Sequence, residues 1–276
     1  MSALNDKITQ HYTHGSLDAA IQSGLEAMKR ASDASSIDLL AGVDEFHMGG
    51  RPATKALAEQ LQIDTHHKVL DIGCGLGGTA RFLTSTYGCQ VSGIDLTPEY
   101  IDVGTGLNQG LGLDNQIDLS VASATEMPFE DATFDRASML HVGMNIADKT
   151  ALMTETARVL KSGGLFAVYD VMRVGAEPIE YPVAWAADEK TSFVGTVDDY
   201  TETLANVGFE IVEVVEKGEV ALKFFEAIKA RLANGGPPPL GLHIVMGSDA
   251  KVKVGNMHAN VGKGAIAPVQ IVARRV

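Results

Sequence analysis

The run Asp71-Ile72-Gly73-Cys74-Gly75-Leu76-Gly77-Gly78 is the part of this sequence best suited to chemistry. Gly73 and Gly75 let the backbone approach a ligand closely, and a helix starting after such a turn offers free N–H groups. Read literally, Gly73-x-Gly75-x-x-Gly78 fits a dinucleotide fingerprint, but that pattern alone is common in α/β turns. Asp71, two residues ahead of the first glycine, argues otherwise. A carboxylate there accepts from an ammonium group or from loop amides, and it repels a pyrophosphate. Asp95 ends the next predicted strand, where an acidic side chain grips a ribose diol. Ser123-Ala124-Thr125 follows the third predicted strand.

His141 and Asp170 fall at the ends of the fourth and fifth predicted strands, so both are expected at the same rim. A histidine with a pKa near neutrality suits removal of a proton from a polar acceptor, and a neighbouring carboxylate can orient it or accept directly. The plainer alternative stays open: His141 gives only its carbonyl to a ligand while its ring fills space. Met144, Asn145, Trp185 and His243 are candidate substrate contacts, and ordinary packing is the competing role of Trp185 and His243. Cys74 has nothing nearby in sequence to activate it as a nucleophile and reads as structural.

Alternating elements must position these residues. Strands are predicted at Val69–Ile72, Gln90–Leu96, Leu119–Ala122, Phe134–Leu140 and Leu165–Val171, with helices at Thr79–Tyr87, Pro98–Gly110 and from Asp148 to Leu160. That alternation implies right-handed crossovers and a parallel sheet, an α/β class. Upstream, Ser16–Ala31 reads as a helix, and Pro52 opens a shorter one. Downstream, Thr196 caps a helix to Val207, Glu210–Glu216 and Val269–Arg274 read as strands, and a helix between them carries Leu222, Phe225, Ile228 and Leu232. Residues 172–196 and 235–265 lack a period. The expected organisation is therefore an N-terminal helical cap over 1–50 and a Rossmann-like domain over 51–276 with cap insertions near 172–196 and 235–265.

Composition narrows the partners. The chain has 276 residues and a formal charge of −13, with 22 scattered Lys and Arg, which disfavours a nucleic-acid surface. No apolar run approaches the roughly 20 residues of a membrane helix. Two cysteines, Cys74 and Cys89, give neither a disulfide framework nor metal-ligand spacing. The first residues lack a signal-peptide pattern, so the expectation is a cytoplasmic enzyme without metal, acting on a small molecule, with a homodimer left open as its assembly.

The ordered motifs DIGCGLGG, GIDLTPEYI, ATEMPFEDATFD, HVGMNIADK and ARVLKSGGLFAVYDV, from about Val43 to Val215, resemble the class I S-adenosylmethionine-dependent methyltransferases. The similar subset contains ubiquinone/menaquinone biosynthesis enzymes, glycine/sarcosine N-methyltransferases and natural-product sugar O-methyltransferases. The resemblance implies a seven-stranded sheet with helices on both faces and an antiparallel last strand. It implies S-adenosylmethionine as cofactor, S-adenosylhomocysteine as product, and methyl transfer to an O, N or C acceptor on a metabolite. Gly73, Cys74, Gly75 and Gly77, with Asp71 nearby, would hold the methionine part. Asp95 would take the ribose hydroxyls, and Leu96 would pack on adenine. Where the family usually has Asp, this chain has Ser123, so the amides of Ala124 and Thr125 are expected to carry more of the adenine contact. Tyr12 is expected to close over the cofactor, His47 to edge the active site, and His141 and Asp170 to act as a pair, as in some sugar O-methyltransferases.

Two other readings stay open. An NAD(P)-dependent oxidoreductase uses a similar sheet, but no tyrosine here is followed four residues later by lysine. A cofactor-binding protein without catalysis would keep the glycine turn and lose polar groups such as His141, Asn145 and Asp170.

Overall fold

Helices α1 (Ala3–Tyr12), α2 (Leu17–Lys29), α3 (Ser36–Asp44) and α4 (Gly50–Gln60) precede the first strand in the computed structural model, which describes residues 3–30, 32 and 34–276. Alternation then begins: β1 (Lys68–Ile72), α5 (Gly78–Tyr87), β2 (Gln90–Asp95), α6 (Pro98–Gly110), β3 (Ile117–Val121), β4 (Phe134–Leu140), α7 (Lys149–Val159) and β5 (Leu160–Arg173). It continues with α8 (Val197–Asn206), β6 (Phe209–Glu216), α9 (Gly218–Gly235), α10 (Leu242–Met246), α11 (Ala250–Gly262) and β7 (Ile266–Arg275). The predicted helix from Ser16 ends at Lys29, and its predicted last residue, Ala31, lies outside the described residues.

The seven strands form one sheet in the order β3-β2-β1-β4-β5-β7-β6, with β7 antiparallel to both neighbours. The order reverses at β1, and ligands in such sheets sit beyond the carboxyl ends of the strands at that point. Local chemistry places the helices. Gly88 ends α5 at φ 71°, Asp148 accepts from the Ala151 amide to start α7, and Thr196 and Asp199 form a capping box on α8. One face of the sheet packs Met139, Phe166 and Val168 against Leu152, Met153, Tyr200 and Leu204 of α7 and α8. On the other, Leu165, Ala167 and Tyr169 meet Ala53 and Leu57 of α4 and Leu61 at its end. Burying each large side chain contributes about 1.5–3 kcal/mol.

Two departures from the sequence reading matter for the site. Strand β5 runs from Leu160 to Arg173, beyond the predicted Leu165–Val171, because Leu160 pairs with Phe134 of β4 and β7 pairs along it as far as Arg173 opposite Ile266. Helices α1, α3, α10 and α11 also form where the sequence has no clear period. In α11 the buried face is Lys253, Met257, Asn260 and Val261, which keeps helical spacing but hides it behind two polar residues. Lys253 is satisfied by the Met246 carbonyl and Asp249, and Asn260 bonds the backbone of Glu180. Two further apolar clusters extend beyond these layers towards the carboxyl ends of the strands. One joins Met48, Met144, Trp185, Phe225, Met246 and Met257, and the other joins α2 and α3 to Leu76, Tyr100, Leu240 and Val245.

Candidate functional site

The turn after β1 is folded by its own backbone. The Gly73 and Cys74 amides both donate to the Ile94 carbonyl, at 2.8 and 2.9 Å, which fixes the turn to the end of β2. Gly73 and Gly75 sit at φ 69° and 53°, a region that penalises a Cβ. A Cβ on Gly73 would meet the Val142 side chain at 2.3 Å, whereas one on Gly75 would find nothing nearer than Tyr100 at 3.9 Å. Gly75 therefore presents bare backbone to open space, and its amide donates to Asp95 Oδ2 at 3.0 Å. The other Asp95 oxygen accepts from the Thr97 amide at 2.9 Å. Burial pushes the Asp95 carboxyl up, against the pull of these amides.

A cleft of about 840 Å³ opens at this point, within the range of roughly 300–1,000 Å³ usual for ligand sites. It is lined by Tyr12, Asp71, Gly73, Cys74, Gly75, Asp95, Leu96, Ser123, Ala124, Thr125, His141 and Asn145. Gly77 is the exception among the expected cofactor residues. It caps α5 at φ 80° and its missing Cβ faces Leu119 and Arg81, so its role is to start the helix. Asp71 is buried, accepts from Ser138 Oγ at 3.0 Å through Oδ1, and has no hydrogen bond at Oδ2. Burial first, then the nearby carboxylates Asp95 and Glu45, push its carboxyl up to about 7. The Ser123 hydroxyl is turned to the Thr125 hydroxyl and amide, at 2.8 and 3.2 Å. Burial pushes the Cys74 thiol up, away from nucleophilic use. Tyr100 on α6 was not singled out in the sequence, yet it lines the cleft with a buried, unpartnered hydroxyl. Its place on the first turn of the helix that follows Asp95 was the available signal.

Beyond the cleft lies a small inner chamber of about 40 Å³, walled mainly by Met48, Met144, Trp185, Phe224, Phe225, Leu242, Met246 and Met257. Tyr12, Phe46, His47 and His141 line both spaces and form the junction between them. The Tyr12 hydroxyl donates to Asn145 Oδ1 at 3.2 Å, tying α1 across the mouth. The fully buried Arg81 of α5 holds Asp44 of α3 and, at 2.9 Å, Asn108 of α6, which fixes α3 beside the glycine turn. His243 is exposed and lines neither space, because α10 turns Val245 and Met246 inward instead.

The expected His141–Asp170 pair does not form. His141 adopts φ 54° and its ring folds back between backbone groups. The Met48 amide donates to Nε2 at 3.2 Å, so the ring proton is on Nδ1, 3.1 Å from the Tyr169 carbonyl. With both nitrogens engaged, and burial followed by nearby His47 lowering its pKa to about 3, the ring has no lone pair to offer an acceptor. Asp170 lies inside the lengthened β5 opposite Val269, and strand alternation turns it to the face away from Tyr169 and His141. There it accepts from Tyr200 at 2.6 Å and from the Val171 amide at 2.9 Å, and it lines neither space. Its carboxyl is pushed up to about 6 by burial.

His47 is held differently. Its Nε2 is 2.9 Å from both Glu45 Oε2 and Thr54 Oγ1, and Thr54 itself donates to Glu45. Arg51 pairs with the other Glu45 oxygen at 2.5 Å. Burial alone would push the Glu45 carboxyl up, but the hydrogen bond and charge of His47, with Arg51 and Thr54, outweigh it and hold the group below its usual range.

Among the described residues, no group of three or more His, Cys, Asp or Glu could hold a metal, and no helix is long and apolar enough to cross a membrane. A family profile described as a methyltransferase domain matches residues 70–168. The chain is 30% identical over 193 residues to methyltransferase GfsG of Streptomyces halstedii, covering 68% of this chain and 66% of that protein. It is 32% identical to sarcosine/dimethylglycine N-methyltransferase of Halorhodospira halochloris over 56% of this chain and 55% of that one. The fold matches phosphoethanolamine N-methyltransferase 2 of Haemonchus contortus, solved with S-adenosyl-L-methionine, at a TM-score of 0.76 and 18% identity, over 100% of this chain and 60% of that one. The chain spans about a third to two thirds of the length of the curated relatives it matches. Names among these relatives cover N-, C- and O-methylation. A glycine turn between two carboxylates at the switch point of a 3-2-1-4-5-7-6 sheet, together with these matches, places the chain in the class I S-adenosylmethionine-dependent methyltransferases.

Proposed function

We propose that this chain transfers the methyl group of S-adenosylmethionine to a neutral, largely apolar small molecule that enters the inner chamber. The cofactor, when bound, supplies an electrophilic methyl on a sulfonium sulfur. The chain's own residues suit it. Asp71 Oδ2 is a buried acceptor with only the Ala80 amide of α5 to favour its charge, so it can take an ammonium donor, and Gly75 leaves room for close backbone approach. Asp95 keeps lone pairs for a ribose diol, Leu96 offers apolar surface to a base, and the Ala124 and Thr125 amides edge the same end of the cleft. A diphosphate would bring like charge to Asp71 and Asp95, which disfavours the nucleotide of a dehydrogenase.

The observation that carries the acceptor class is the chamber wall. It is built of Met, Phe, Trp, Leu, Ile, Val and Ala, with Tyr12, His47 and His141 only at the junction. A buried anionic acceptor would need a paired cation, and no Lys or Arg lines the chamber. The chamber holds no more than a few waters as it stands. Entry of an acceptor therefore requires α1 and α9–α11 to part, with residues 1–50, 172–196 and 235–265 acting as the cap. Both cysteines are buried and unpaired, which fits a reducing, cytoplasmic setting.

The test uses methyl-labelled S-adenosylmethionine with two acceptor sets, uncharged apolar phenols, alcohols and amines on one side and sarcosine and phosphoethanolamine on the other. Label is expected in products that extract into organic solvent. Label passing only to the charged acceptors would refute the acceptor class, and tighter binding of NAD than of S-adenosylhomocysteine would refute the cofactor assignment.

A further inference from the structure

We infer that His47, oriented by Glu45, is the catalytic base that takes the acceptor's proton, and that His141 is a wall. The inference rests on the methyl-transfer reading above. At the junction of the two spaces stand three groups able to exchange a proton: Tyr12, His47 and His141. Tyr12 is committed to Asn145, and its phenol is pushed up by burial. His141 has both nitrogens bound to backbone. His47 is the remaining one.

Its tautomer follows from its partners. Glu45 is an ionised acceptor that already takes the Thr54 hydroxyl proton, so the Nε2 beside both must be a donor. The neutral ring then carries its lone pair on Nδ1. The sole contact of Nδ1 is the Met48 carbonyl at 3.5 Å, an acceptor, which gives the lone pair nothing to bind. After protonation the same carbonyl becomes a partner for Nδ1–H, while Glu45 stabilises the imidazolium through Nε2–H. Arg51 and Thr54 keep Glu45 itself in place.

The step balances. The acceptor heteroatom forms its bond to the methyl carbon, and the carbon–sulfur bond breaks with its pair going to sulfur, which becomes a neutral thioether. The heteroatom's proton passes to His47 Nδ1 and later to solvent. Glu45 touches neither reactant and is a positioning residue.

The test follows His47 itself by nitrogen NMR of ¹⁵N-histidine-labelled protein, with S-adenosylhomocysteine bound. The titratable and charged groups facing the ring are Glu45, Arg51 on α4, His141 after β4, Tyr169 on β5 and Tyr12 on α1. Burial keeps His141, Tyr169 and Tyr12 neutral through the range from pH 5 to 9. Following the ring signal also separates His47 from Asp71, which titrates near 7. The proton is expected on Nε2 in the neutral form, and Glu45→Gln is expected to raise the share of the Nδ1–H tautomer, since it removes the anion that holds the proton on Nε2. A proton on Nδ1 in the wild type, or an unmoved tautomer balance in Glu45→Gln, overturns the inference whether or not an acceptor is in hand. With a labelled acceptor, His47→Ala is expected to lower turnover by roughly 10²-fold or more, with partial rescue by added imidazole, while S-adenosylhomocysteine binding by calorimetry confirms that it folds. Turnover of His47→Ala near the wild-type rate would equally sink it. Failure of every acceptor in the wild type refutes the proposed acceptor class instead and leaves the tautomer measurement to decide the dyad.

Discussion

The cofactor cleft and the inner chamber meet at four residues yet are built on opposite principles. The floor of the cleft is made of backbone turns and strand-end carboxylates from β1 to the turn after β3, closed over by α1, the end of α3, the turn after β4 and Val245, and its floor leaves polar groups for a ligand to complete. The chamber is made of side chains from α1, the loop after α3, the turn after β4, residues 184–185 and α9–α11, and its polar groups are few and mostly satisfied. A site of the first kind is specified by local spacing. A site of the second kind exists only once distant segments have packed, so it can change its ligand without disturbing the cofactor. This separability is the claim to attack.

The largest blow falls on the chamber. Trp185 is 2% exposed, donates its indole N–H to Ser192 at 2.9 Å, and packs among Met48, Met144, Phe225, Met246 and Met257. Trp185→Ala is expected to cost about 3–5 kcal/mol in denaturant unfolding. Because Trp185 does not line the cleft, affinity for S-adenosylhomocysteine should stay within about twofold once the variant is folded. A tenfold loss would show that the two spaces form one energetic unit.

A sharper probe comes from the cleft side. Asp71 is raised to about 7 in the protein without ligand, against an ordinary value of 3.8. Its folded pKa lies above the unfolded one, so its contribution to stability falls as pH rises from about 4 to about 7. An ammonium delivered to Oδ2 favours the carboxylate and lowers that pKa, so binding must release a proton below pH 7. Affinity for S-adenosylhomocysteine is then expected to rise roughly tenfold between pH 6 and 7.5, with proton uptake by buffer visible in calorimetry. Asp71→Asn should bind more weakly and flatten that slope. A wild-type affinity indifferent to pH would mean that Asp71 meets no cation.

The same contrast explains what was legible in the sequence. The glycine turn, Asp95 at a strand tip and the alternation of strands and helices are local facts, and they gave the sheet and the floor of the cleft from β1 to the turn after β3. The miss at Asp170 came from strand length. The sequence marks where an apolar run stops, at Val171, whereas the partner strand β7 decides where pairing stops, at Arg173. Being interior rather than terminal, Asp170 points by alternation, not by proximity to the rim. His141 was placed at the rim with two roles open, base or wall, and the sequence could not choose between them, since the Met48 amide that occupies Nε2 comes from a segment distant in sequence. Glu45 and Thr54 carry no local signal either, because their meaning lies in meeting His47 after the turn into α4 has formed.

The smallest expected effect concerns Asp170, and it separates a residue that shapes the scaffold from one that serves the reaction. Its carboxylate accepts from Tyr200 at 2.6 Å and stands close to the turn at Gly143, whose absent Cβ would lie 2.4 Å from Oδ2. Asparagine keeps an oxygen for Tyr200 and removes the titration. With a folded pKa of about 6 against 3.8 unfolded, the wild-type group favours folding most at low pH and loses that contribution as pH climbs through 4 to 6. By the same difference, the ionised form is up to roughly 3 kcal/mol less favourable in place than the neutral one, an amount that solvation of the real site reduces. Asp170→Asn should therefore be as stable as wild type or more so at pH 7.5, with a shallower stability slope between pH 4 and 6. Turnover and cofactor affinity should stay within about threefold. A hundredfold fall in turnover with unchanged folding would return Asp170 to the reaction, and would mean that the chamber reaches through β5 to the far face of the sheet.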